Sequence, residues 1–309
     1  MNRLMIWYGR LTTRRALTLV GSGVLSAPVV WLAGFLLLPS LALVALAFAR
    51  PGLYGAVIWD FSLDNFKRLA SVDWTESADV GQATWSAPYL LILGRSVWVA
   101  LVTTFFSLVL AYPLAFFIAA RPRRTRYLWL AVVVLPLCTN MVIRTYAWTL
   151  ILGFNSPLVW LARRLGLIGP LDALYPGATA VYAGMLSCFL PFAVLPLYAS
   201  VERLDYSLVD AACDLYASRR RVFMQAILPQ TLPGLVVATI LTFIPAMGVF
   251  VVPDLLGGAR TMLVGNLIQQ QFGPSRDWPF GAAVSLSLVV LTLAGLLVLR
   301  RWRREGDFT

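Results

Sequence analysis

The sequence has no histidine and only one lysine, Lys67, among its 309 residues. Without histidine it has no imidazole to serve as a general base or metal ligand, and nothing else in it indicates a metal site. Lys67 follows no glycine-rich loop, so the chain lacks the Walker A motif that binds the phosphates of ATP. It also lacks a pair of carboxylates inside an apolar segment, which acid–base hydrolysis would need. These absences argue against an enzyme and imply that the energy for any work comes from another molecule.

Cysteine and charge are also scarce. The three cysteines, Cys138, Cys188 and Cys213, are widely spaced, and only the third lies in a polar segment, so no disulfide is expected. Charged residues make up 13% of the chain, yet the formal net charge is +11. The basic residues form small clusters at the ends of apolar runs and no continuous stripe, which argues against nucleic-acid binding.

What the chain has in excess is long apolar segments: 60% of its residues are hydrophobic and the mean hydropathy is +0.78. Several runs approach the roughly 20 residues that cross a bilayer as a helix. The sequence therefore predicts an all-α polytopic membrane protein with a single transmembrane domain over residues 1–309. The apolar stretch after the basic N-terminus is too long for a secretory signal, so we expect an uncleaved first span, with cleavage after Ala49 as the alternative. The six predicted spans are residues 24–49, 92–119, 127–152, 178–201, 235–256 and 280–299.

Six spans place both termini on one side of the membrane, and the distribution of charge predicts which side. Four segments on the side of the termini hold 16 Arg against 6 acidic residues, whereas the loops on the other side hold 7 basic against 8 acidic residues, counting Asp254. Cytoplasmic loops are the ones enriched in Arg and Lys. Residues 50–91 are therefore predicted to form a periplasmic loop. The predicted cytoplasmic segments are 1–23, 120–126, 202–234 and 300–309.

The 202–234 segment is the one long polar insert on the predicted cytoplasmic side. Apolar residues at helical spacing predict a short amphipathic helix from Asp205 to Leu215, with Asp205 or Ser207 as its cap. Ser218 is expected to cap a second helix, whose two prolines should prevent it from running smoothly into the next span. Two short helices on a polar insert suit docking in a groove of a neighbouring subunit. The residues behind these predictions are Leu208, Ala212, Leu215, Pro229 and Pro233.

The run DAACDLYASRRRVFMQAILPQTLPG, residues 210–234, resembles the cytoplasmic EAA loop of permease subunits of ABC importers. That loop reads Glu-Ala-Ala, three residues, Gly, nine residues, a branched apolar residue, one residue, Leu-Pro. This chain departs from it at Asp210 in place of Glu, at Tyr216 in place of Gly, and at Ala226. Tyr216 matters most, because Gly would give the turn between the two helices an unrestricted backbone, so the geometry of this turn is left open. The positions that match in register are Asp210, Ala211, Ala212, Leu228 and Pro229.

The resemblance covers most of the chain from about residue 61 onward. Stretches such as FSLDNFKRL, PAMGVFVVPDLLGGA and GNLIQQQFGPSRDWPFGAA are similar to spermidine/putrescine permeases, specifically the first of their two permease subunits. The resemblance implies a type I ABC importer permease fold in the bacterial inner membrane and a role in ATP-driven polyamine import. Related permeases serve opines, ferric iron and other small solutes, which remain alternatives for the substrate. A stand-alone secondary transporter is a further alternative. Such transporters commonly have inverted repeats and intramembrane carboxylates for ion coupling, and the sequence shows neither.

The same resemblance implies partners. They are a second related permease, two copies of a cytoplasmic ATPase, and a periplasmic polyamine-binding protein, with membrane lipid around the spans. The chain itself would bind no cofactor, while the ATPase would use ATP and Mg. The residues implied to couple the chain to the ATPase are Asp210, Ala211, Ala212, Leu215, Tyr216 and Ala217.

A second set of residues is predicted to line the passage through the membrane. Arg144 lies inside the third predicted span, where a cation needs protein or water around it, and Asn140 lies one turn before it on the same face. The alternatives for Arg144 are snorkelling to the outer surface and tying two helices together. Asp254, near the outer end of the fifth predicted span, is placed either to meet a cation or to cap a loop beside two glycines. The predicted pathway residues are Asn140, Arg144, Tyr146, Trp148, Tyr182 and Asp254, whose aromatic members offer cation–π contacts.

Two further patterns leave alternatives open. Every predicted span except the last contains proline, which indicates either ordinary kinks or hinges around a passage. The outer segments that begin at Ser62 and Ser156 predict short capped helices. These helices either widen a periplasmic docking surface or pack onto the protein's own spans.

Overall fold

The computed structural model describes residues 28–52, 55–71, 73–76, 83–166, 168–169, 173–258 and 261–306, most of which are helical. The basic N-terminal segment and the end of the predicted C-terminal tail lie outside the described residues. In chain order the elements are α1 (Pro28–Ala47), β1 (Arg50–Pro51), β2 (Val57–Ile58), α2 (Asp64–Ala70), β3 (Asp73–Glu76), β4 (Ala83–Ser86), α3 (Pro88–Ala119), α4 (Arg123–Val134), a 3-10 turn (Leu135–Cys138), α5 (Met141–Ile151), α6 (Pro157–Arg164), α7 (Ala178–Val201), α8 (Tyr206–Asp214), α9 (Arg219–Val222), a π-turn (Phe223–Ile227), α10 (Leu228–Gly248), α11 (Val251–Leu256), α12 (Val264–Phe272) and α13 (Trp278–Gly306).

Five helices in the described part of the chain are long and apolar enough to cross a membrane. They are α1, α3, α7, the continuous helix from α9 through α10, and α13. The bent pair of α4 and α5 brings the number to six if it counts as one span. The predicted helical membrane fold is therefore confirmed, with two short antiparallel strand pairs added between α1 and α3.

The third predicted span is not a single helix. α4 with its 3-10 turn and α5 meet at an angle of 96°. Pro136 lies in the 3-10 turn, where its ring and missing N–H disfavour a regular helix. The backbone then becomes extended at Thr139 and Asn140, and Asn140 starts a new helix by accepting a hydrogen bond of 2.8 Å from the N–H of Val142. The span predicted over 127–152 is therefore present only as a sharply bent pair of helices, with its bend next to Pro136.

The fifth predicted span, 235–256, is wrong at its end. α10 stops at Gly248, Val249 is extended, and α11 begins separately at Val251. Pro253 explains the break, because in a continued helix its ring would clash with the carbonyl of Val249. α12 packs against this break. A Cβ on Gly265 would lie 2.7 Å from the carbonyl oxygen of Val249, so only glycine permits so close an approach.

At the other end of α10 the two prolines do not end the helix, but the helix is irregular there, because a π-turn lies just ahead of Pro229. α9, the π-turn and α10 form one 30-residue helix from Arg219 to Gly248. The π-turn makes this possible, since the N–H of Leu228 bonds to the carbonyl of Phe223, five residues back. The extra residue in the turn shifts the hydrogen-bond register just ahead of Pro229, which has no N–H to donate. Pro229 is thus accommodated in the first turn of α10, where it is tolerated best.

α3, α7 and α10 pack together as the centre of the fold. One buried cluster surrounds Met185 and Phe189 of α7, and a second lies around Leu197 and Val201 of the same helix. α10 crosses α7 closely at Gly234, where a Cβ would lie 2.7 Å from the carbonyl oxygen of Pro196. In a membrane, helices gain little from the hydrophobic effect when they associate. Small residues at the crossing let the backbones pack closely, and this packing stabilises the helix pair.

The short outer helices pack onto the chain's own spans. Ser156 caps α6 as predicted, since its Oγ atom accepts from the N–H of Val159 at 3.2 Å. Ser62 lies one residue before the cap position of α2, and its Oγ atom accepts from the N–H of Asp64 at 3.0 Å. Asn65, only 4% exposed, donates from Nδ2 to the carbonyl oxygens of Ala47 and Ala49 at 3.0 and 2.8 Å. α2 is therefore tied to the end of α1.

α1 itself contributes almost nothing to the core. None of the 18-residue apolar window that defines it as a span is buried. Large apolar side chains on all sides of it are exposed, among them Trp31, Phe35 and Leu38 at about two-thirds exposure or more. A helix that is apolar all round needs lipid or another protein against its surface.

Candidate functional site: the α8 segment and the predicted pathway

α8 begins where the sequence predicts. Asp205 has the extended backbone of a cap residue, and its Oδ1 atom accepts a hydrogen bond of 3.0 Å from the N–H of Ser207. Hydrogen bonds from the Ser207 side chain and backbone hold the pKa of Asp205 below its ordinary value. The cap satisfies an N–H that the first turn of a helix leaves without a partner.

The turn after α8 keeps the glycine geometry although it contains Tyr216. The backbone of Tyr216 is left-handed, with φ +55°. The N–H of Ala217 bonds to the carbonyl of Ala212 at 3.1 Å, and the N–H of Tyr216 bonds to that of Cys213 at 2.9 Å. These two bonds form a Schellman motif, in which the left-handed position is usually glycine. The open question about this turn therefore has an answer: tyrosine adopts the conformation that glycine would take.

α8 presents most of its surface to the outside. No residue of the helix is buried. Of the predicted coupling residues, Asp210 and Ala211 are exposed, Leu215 is 82% exposed and Tyr216 is 98% exposed. Ala212 and Ala217 are half-buried against the turn. Leu208, 53% exposed, extends the apolar surface, which a partner protein would cover.

Ser218 occupies the cap position of α9, but its side chain makes no capping hydrogen bond. The predicted position is therefore right and the predicted bond is absent. The next three residues are arginines, and Arg219, Arg220 and Arg221 are all exposed.

An ion pair joins two of the Arg-rich segments. The Nη1 atom of Arg126 in α4 donates to Oε1 of Glu202 at 2.8 Å, and its Nη2 atom donates to the carbonyl of Ala119 at 2.9 Å. The start of α4 and the ends of α3 and α7 thus lie at the same face of the molecule as α8.

Arg144 is braced at the break between α4 and α5. Its Nη1 atom donates a hydrogen bond of 2.8 Å to the carbonyl oxygen of Pro136, and its guanidinium lies beside the thiol of Cys188 on α7. Asn140 is not its partner, because the Asn140 side chain caps α5 instead. Of the alternatives for Arg144, the geometry favours a tie between helices.

The predicted aromatic pathway residues separate into two environments. Trp148 donates from Nε1 to Oγ of Ser187 on α7 at 2.8 Å. Trp148 and Tyr182 both pack against the buried cluster around Met185. Tyr146, in contrast, is 54% exposed. Trp148 and Tyr182 therefore share one interface, whereas Tyr146 faces outward from the chain.

Asp254 lies on α11 at a cavity of about 290 Å³ between α11 and α12. Asn266 is 8% exposed and donates to the carbonyl of Phe250, and its Oδ1 atom is buried without a hydrogen-bond partner. None of the described residues that line the cavity is basic. The cavity thus presents oxygen acceptors to whatever enters it. Its polar lining consists of Asp254, Thr261, Asn266, Gln269 and Gln270.

The six predicted pathway residues do not gather in one cavity. Only Asp254 lines the cavity between α11 and α12, and Asn140 and Arg144 stay at the helix break. Sequence reasoning missed Asn266, although the polar residues of the NLIQQQF run share α12 and signalled a non-lipid face. It also missed Gln230, which bonds to the N–H of Asp205 and follows directly after Leu228 and Pro229.

Comparison with known proteins assigns the architecture. Residues 111–304 match the family described as binding-protein-dependent transport system inner membrane component. The spermidine/putrescine transport system permease protein PotB of Escherichia coli (strain K12) is 38% identical over 277 residues, covering 88% of this chain and 93% of that protein. The chain belongs to this family of ABC importer permeases. It is accordingly a multi-pass protein of the inner membrane.

Other relatives of this permease agree. PotB of Haemophilus influenzae is 35% identical over 84% of the chain and 86% of that protein. Among solved structures, a chain of the bacterial alginate ABC transporter bound to its periplasmic protein has a TM-score of 0.70 at 18% identity, covering 96% of this permease and 98% of that chain. The MetNI methionine ABC transporter gives a TM-score of 0.52 at 19% identity, covering 71% of this permease and 98% of that chain. These two likenesses confirm the importer permease fold.

Proposed function

We propose that the chain is a permease subunit of an ATP-driven importer that carries polyamines such as spermidine and putrescine. The main observation in favour of this proposal is the 38% identity to the spermidine/putrescine permease PotB over 88% of this chain. The match spans 277 residues and 93% of that permease, so it extends well beyond the α8 loop.

α8 is proposed as the docking site for a cytoplasmic ATPase. Its exposed apolar surface, its exposed Asp210 and its rigid Schellman turn support this role, because a preformed helix loses little freedom on entering a groove. Two copies of the ATPase would serve this chain and a second permease. Hydrolysis of ATP with Mg would take place in the ATPase, while this chain would bind no cofactor.

A second membrane subunit and surrounding lipid would cover the apolar surface of α1, which the chain itself leaves exposed. A periplasmic polyamine-binding protein would deliver the substrate at the side opposite to α8. The excess of arginine in the segments on the α8 side supports this assignment of sides, since cytoplasmic loops are enriched in Arg and Lys.

The cavity at Asp254 is the proposed entry point for a cationic substrate. A carboxylate together with amide and hydroxyl oxygens suits a protonated amine, which is a donor with no acceptor. Trp148 and Tyr182 are proposed to form a wall of the passage deeper in the membrane. Arg144 is proposed to hold the bend between α4 and α5 and so to shape the passage without contacting the cation.

The test is reconstitution of this permease in proteoliposomes with its second permease, ATPase and binding protein. We expect uptake of labelled spermidine or putrescine only when ATP and the binding protein are both present. Uptake that persists without the ATPase would contradict an ATP-driven importer. Uptake of an opine or of ferric iron in place of polyamines would contradict the substrate class alone.

Docking is tested in the same system. Asp210→Lys or Ala212→Trp should wedge α8 out of the ATPase groove and abolish most uptake while the permease remains folded. Asp210→Asn, which removes charge without adding bulk, serves as the matched control. Undiminished uptake by both wedge variants would remove α8 as the docking site.

A further inference from the structure

The side-chain amide of Gln230 joins three elements at the face of the molecule that carries α8. Its Oε1 atom accepts a hydrogen bond of 2.9 Å from the backbone N–H of Asp205, the cap residue of α8. Its Nε2 atom donates a hydrogen bond of 2.8 Å to the carbonyl oxygen of Ala226 in the π-turn. Gln230 belongs to α10 and is half-buried. One planar amide therefore connects the first residue of α8 with the base of a membrane-spanning helix.

α8 has few other attachments to the membrane-spanning helices. It has no buried residue, and its main contacts in the described chain are with the π-turn and α9. Val209 and Ile227 are both partly buried against the cluster around Leu197, which adds an apolar contact near the same point. A displacement of α8 would thus reach the spans chiefly through the π-turn and through Gln230.

The π-turn is placed where a helix can bend. Its hydrogen bonds span five residues, so it holds one residue more than a regular helical turn, and such turns are frequent at functional sites. Directly above it, the hydroxyls of Thr231 and of Tyr112 on α3 are 2.7 Å apart. Tyr112 also packs edge-on against Phe223 of the π-turn, with ring centroids 5.8 Å apart. Movement at the π-turn is thereby linked to α3 as well as to α10.

We propose that Gln230 is a positioning residue that transmits the movement of α8 to the bend of α10 at the π-turn. When α8 moves, the N–H of Asp205 moves with it. The amide either pulls on the carbonyl of Ala226 or loses one of its two hydrogen bonds, of which the bond to Ala226 is partly buried. This inference rests on the proposed function, since it takes α8 as the helix that the ATPase moves.

The test uses the complete importer in proteoliposomes and measures solute uptake per ATP hydrolysed. Gln230→Leu should lower this ratio about fivefold, the factor that corresponds to one lost hydrogen bond, while ATP is still hydrolysed. Gln230→Glu keeps an acceptor for Asp205 but loses the donor to Ala226, so its ratio should lie between those of Gln230→Leu and the wild type. Gln225→Leu, an exposed glutamine of the same turn, is the matched control and should leave the ratio unchanged.

A second measurement follows the spans directly. Spin labels are placed at L101C on α3 and V237C on α10, both exposed positions, after the exposed Cys138 and Cys213 are changed to serine. ATP should shift the distance between the labels in the otherwise wild-type permease and not in the Gln230→Leu variant. The same shift in both would overturn the role of Gln230.

The two proposals fail differently. A wild-type permease that shows no ATP-driven uptake refutes the proposed function. Normal coupling in the wild type together with normal coupling in both Gln230 variants refutes only the role of Gln230. If Gln230→Leu fails to assemble, Gln230→Glu decides the question: a lowered ratio supports the proposal, and a wild-type ratio overturns it.

Discussion

The guanidinium of Arg144 donates a 2.8 Å hydrogen bond to the carbonyl oxygen of Pro136, across the break that bends α4 against α5 by 96°. A carbonyl at such a break has no partner within a regular helix, and in a membrane it needs one from another source. The half-buried cation also gains a partner that carries no opposite charge. The hydrogen bond from Arg144 thus joins α5 to the 3-10 turn, and the hydroxyl of Thr139 donates to the same carbonyl at 2.7 Å.

Replacing Arg144 by Leu should destabilise the permease, because it removes the hydrogen bond from the guanidinium to the Pro136 carbonyl and leaves only the donors of Thr139 on that oxygen. Hydrogen bonds to charged groups contribute about 1.5–3 kcal/mol. We expect a lower midpoint of thermal unfolding in detergent and reduced uptake. Arg124→Leu, at an exposed arginine of α4, is the control and should leave the midpoint unchanged. Equal midpoints for the two variants would argue that Arg144 braces nothing.

Replacing Tyr216 by Gly should stabilise the turn after α8. A left-handed backbone costs a non-glycine residue about 1–2 kcal/mol, and glycine avoids this cost. Val at the same position should be worse than Tyr, since a β-branched side chain tolerates positive φ least. Hydrogen exchange at the amide of Ala217, which bonds to Ala212, measures the effect. Protection should rise in Tyr216→Gly and fall in Tyr216→Val, and the reverse order would contradict the strained-turn description.

Asn65→Leu should loosen the outer part of the fold. The side chain is 4% exposed, and its loss leaves the carbonyls of Ala47 and Ala49 without this donor. Two hydrogen bonds at about 1 kcal/mol each predict a destabilisation of about 2 kcal/mol. Lys67→Ala on the same helix removes only an exposed ion pair with Asp64 and should have little effect on thermal stability. Equal effects would argue against the tie between α2 and α1.

The cap of α8 should respond to acid in a defined direction. The pKa of Asp205 is lowered in the folded chain, so the cap is fully effective above the ordinary aspartate pKa of about 3.9 and weakens as the pH falls through the lower folded value. Exchange protection of the Ser207 amide should therefore be constant from neutral pH to about pH 5 and decrease only below it. Asp205→Asn keeps an acceptor without a titrating group and should remove this dependence. A loss of protection near neutral pH would contradict the assignment.

Local signals in the chain predicted the α8 segment well. The helical spacing of the apolar residues and the aspartate before Tyr206 indicate a capped helix, and the capping bond itself spans only two residues. The left-handed backbone of the turn was harder to predict, because tyrosine rarely adopts positive φ. Only the register of the EAA-like motif, in which glycine is usual at this place, drew attention to position 216.

The breaks in the spans were not predictable from the same signals. Pro136 interrupts α4 and α5, whereas Pro113 and Pro191 lie inside continuous helices. Proline sets only the local cost of continuing a helix. Whether the chain meets that cost or bends depends on partners such as the Arg144 guanidinium, which come from another turn or another helix.

The sequence by itself determined that this chain crosses the membrane several times, that most of its arginines fall in four of the segments between and beyond the spans, and that its polar insert forms a short helix. These properties depend on composition and on neighbours within a few residues, so they can be read along the chain. Only the tertiary structure decided that Asp254 and Asn266 line one cavity, that Arg144 donates to the carbonyl of Pro136, and that Gln230 joins α8 to α10. Each of these depends on distances between groups on different elements, and those distances are set by how the helices pack.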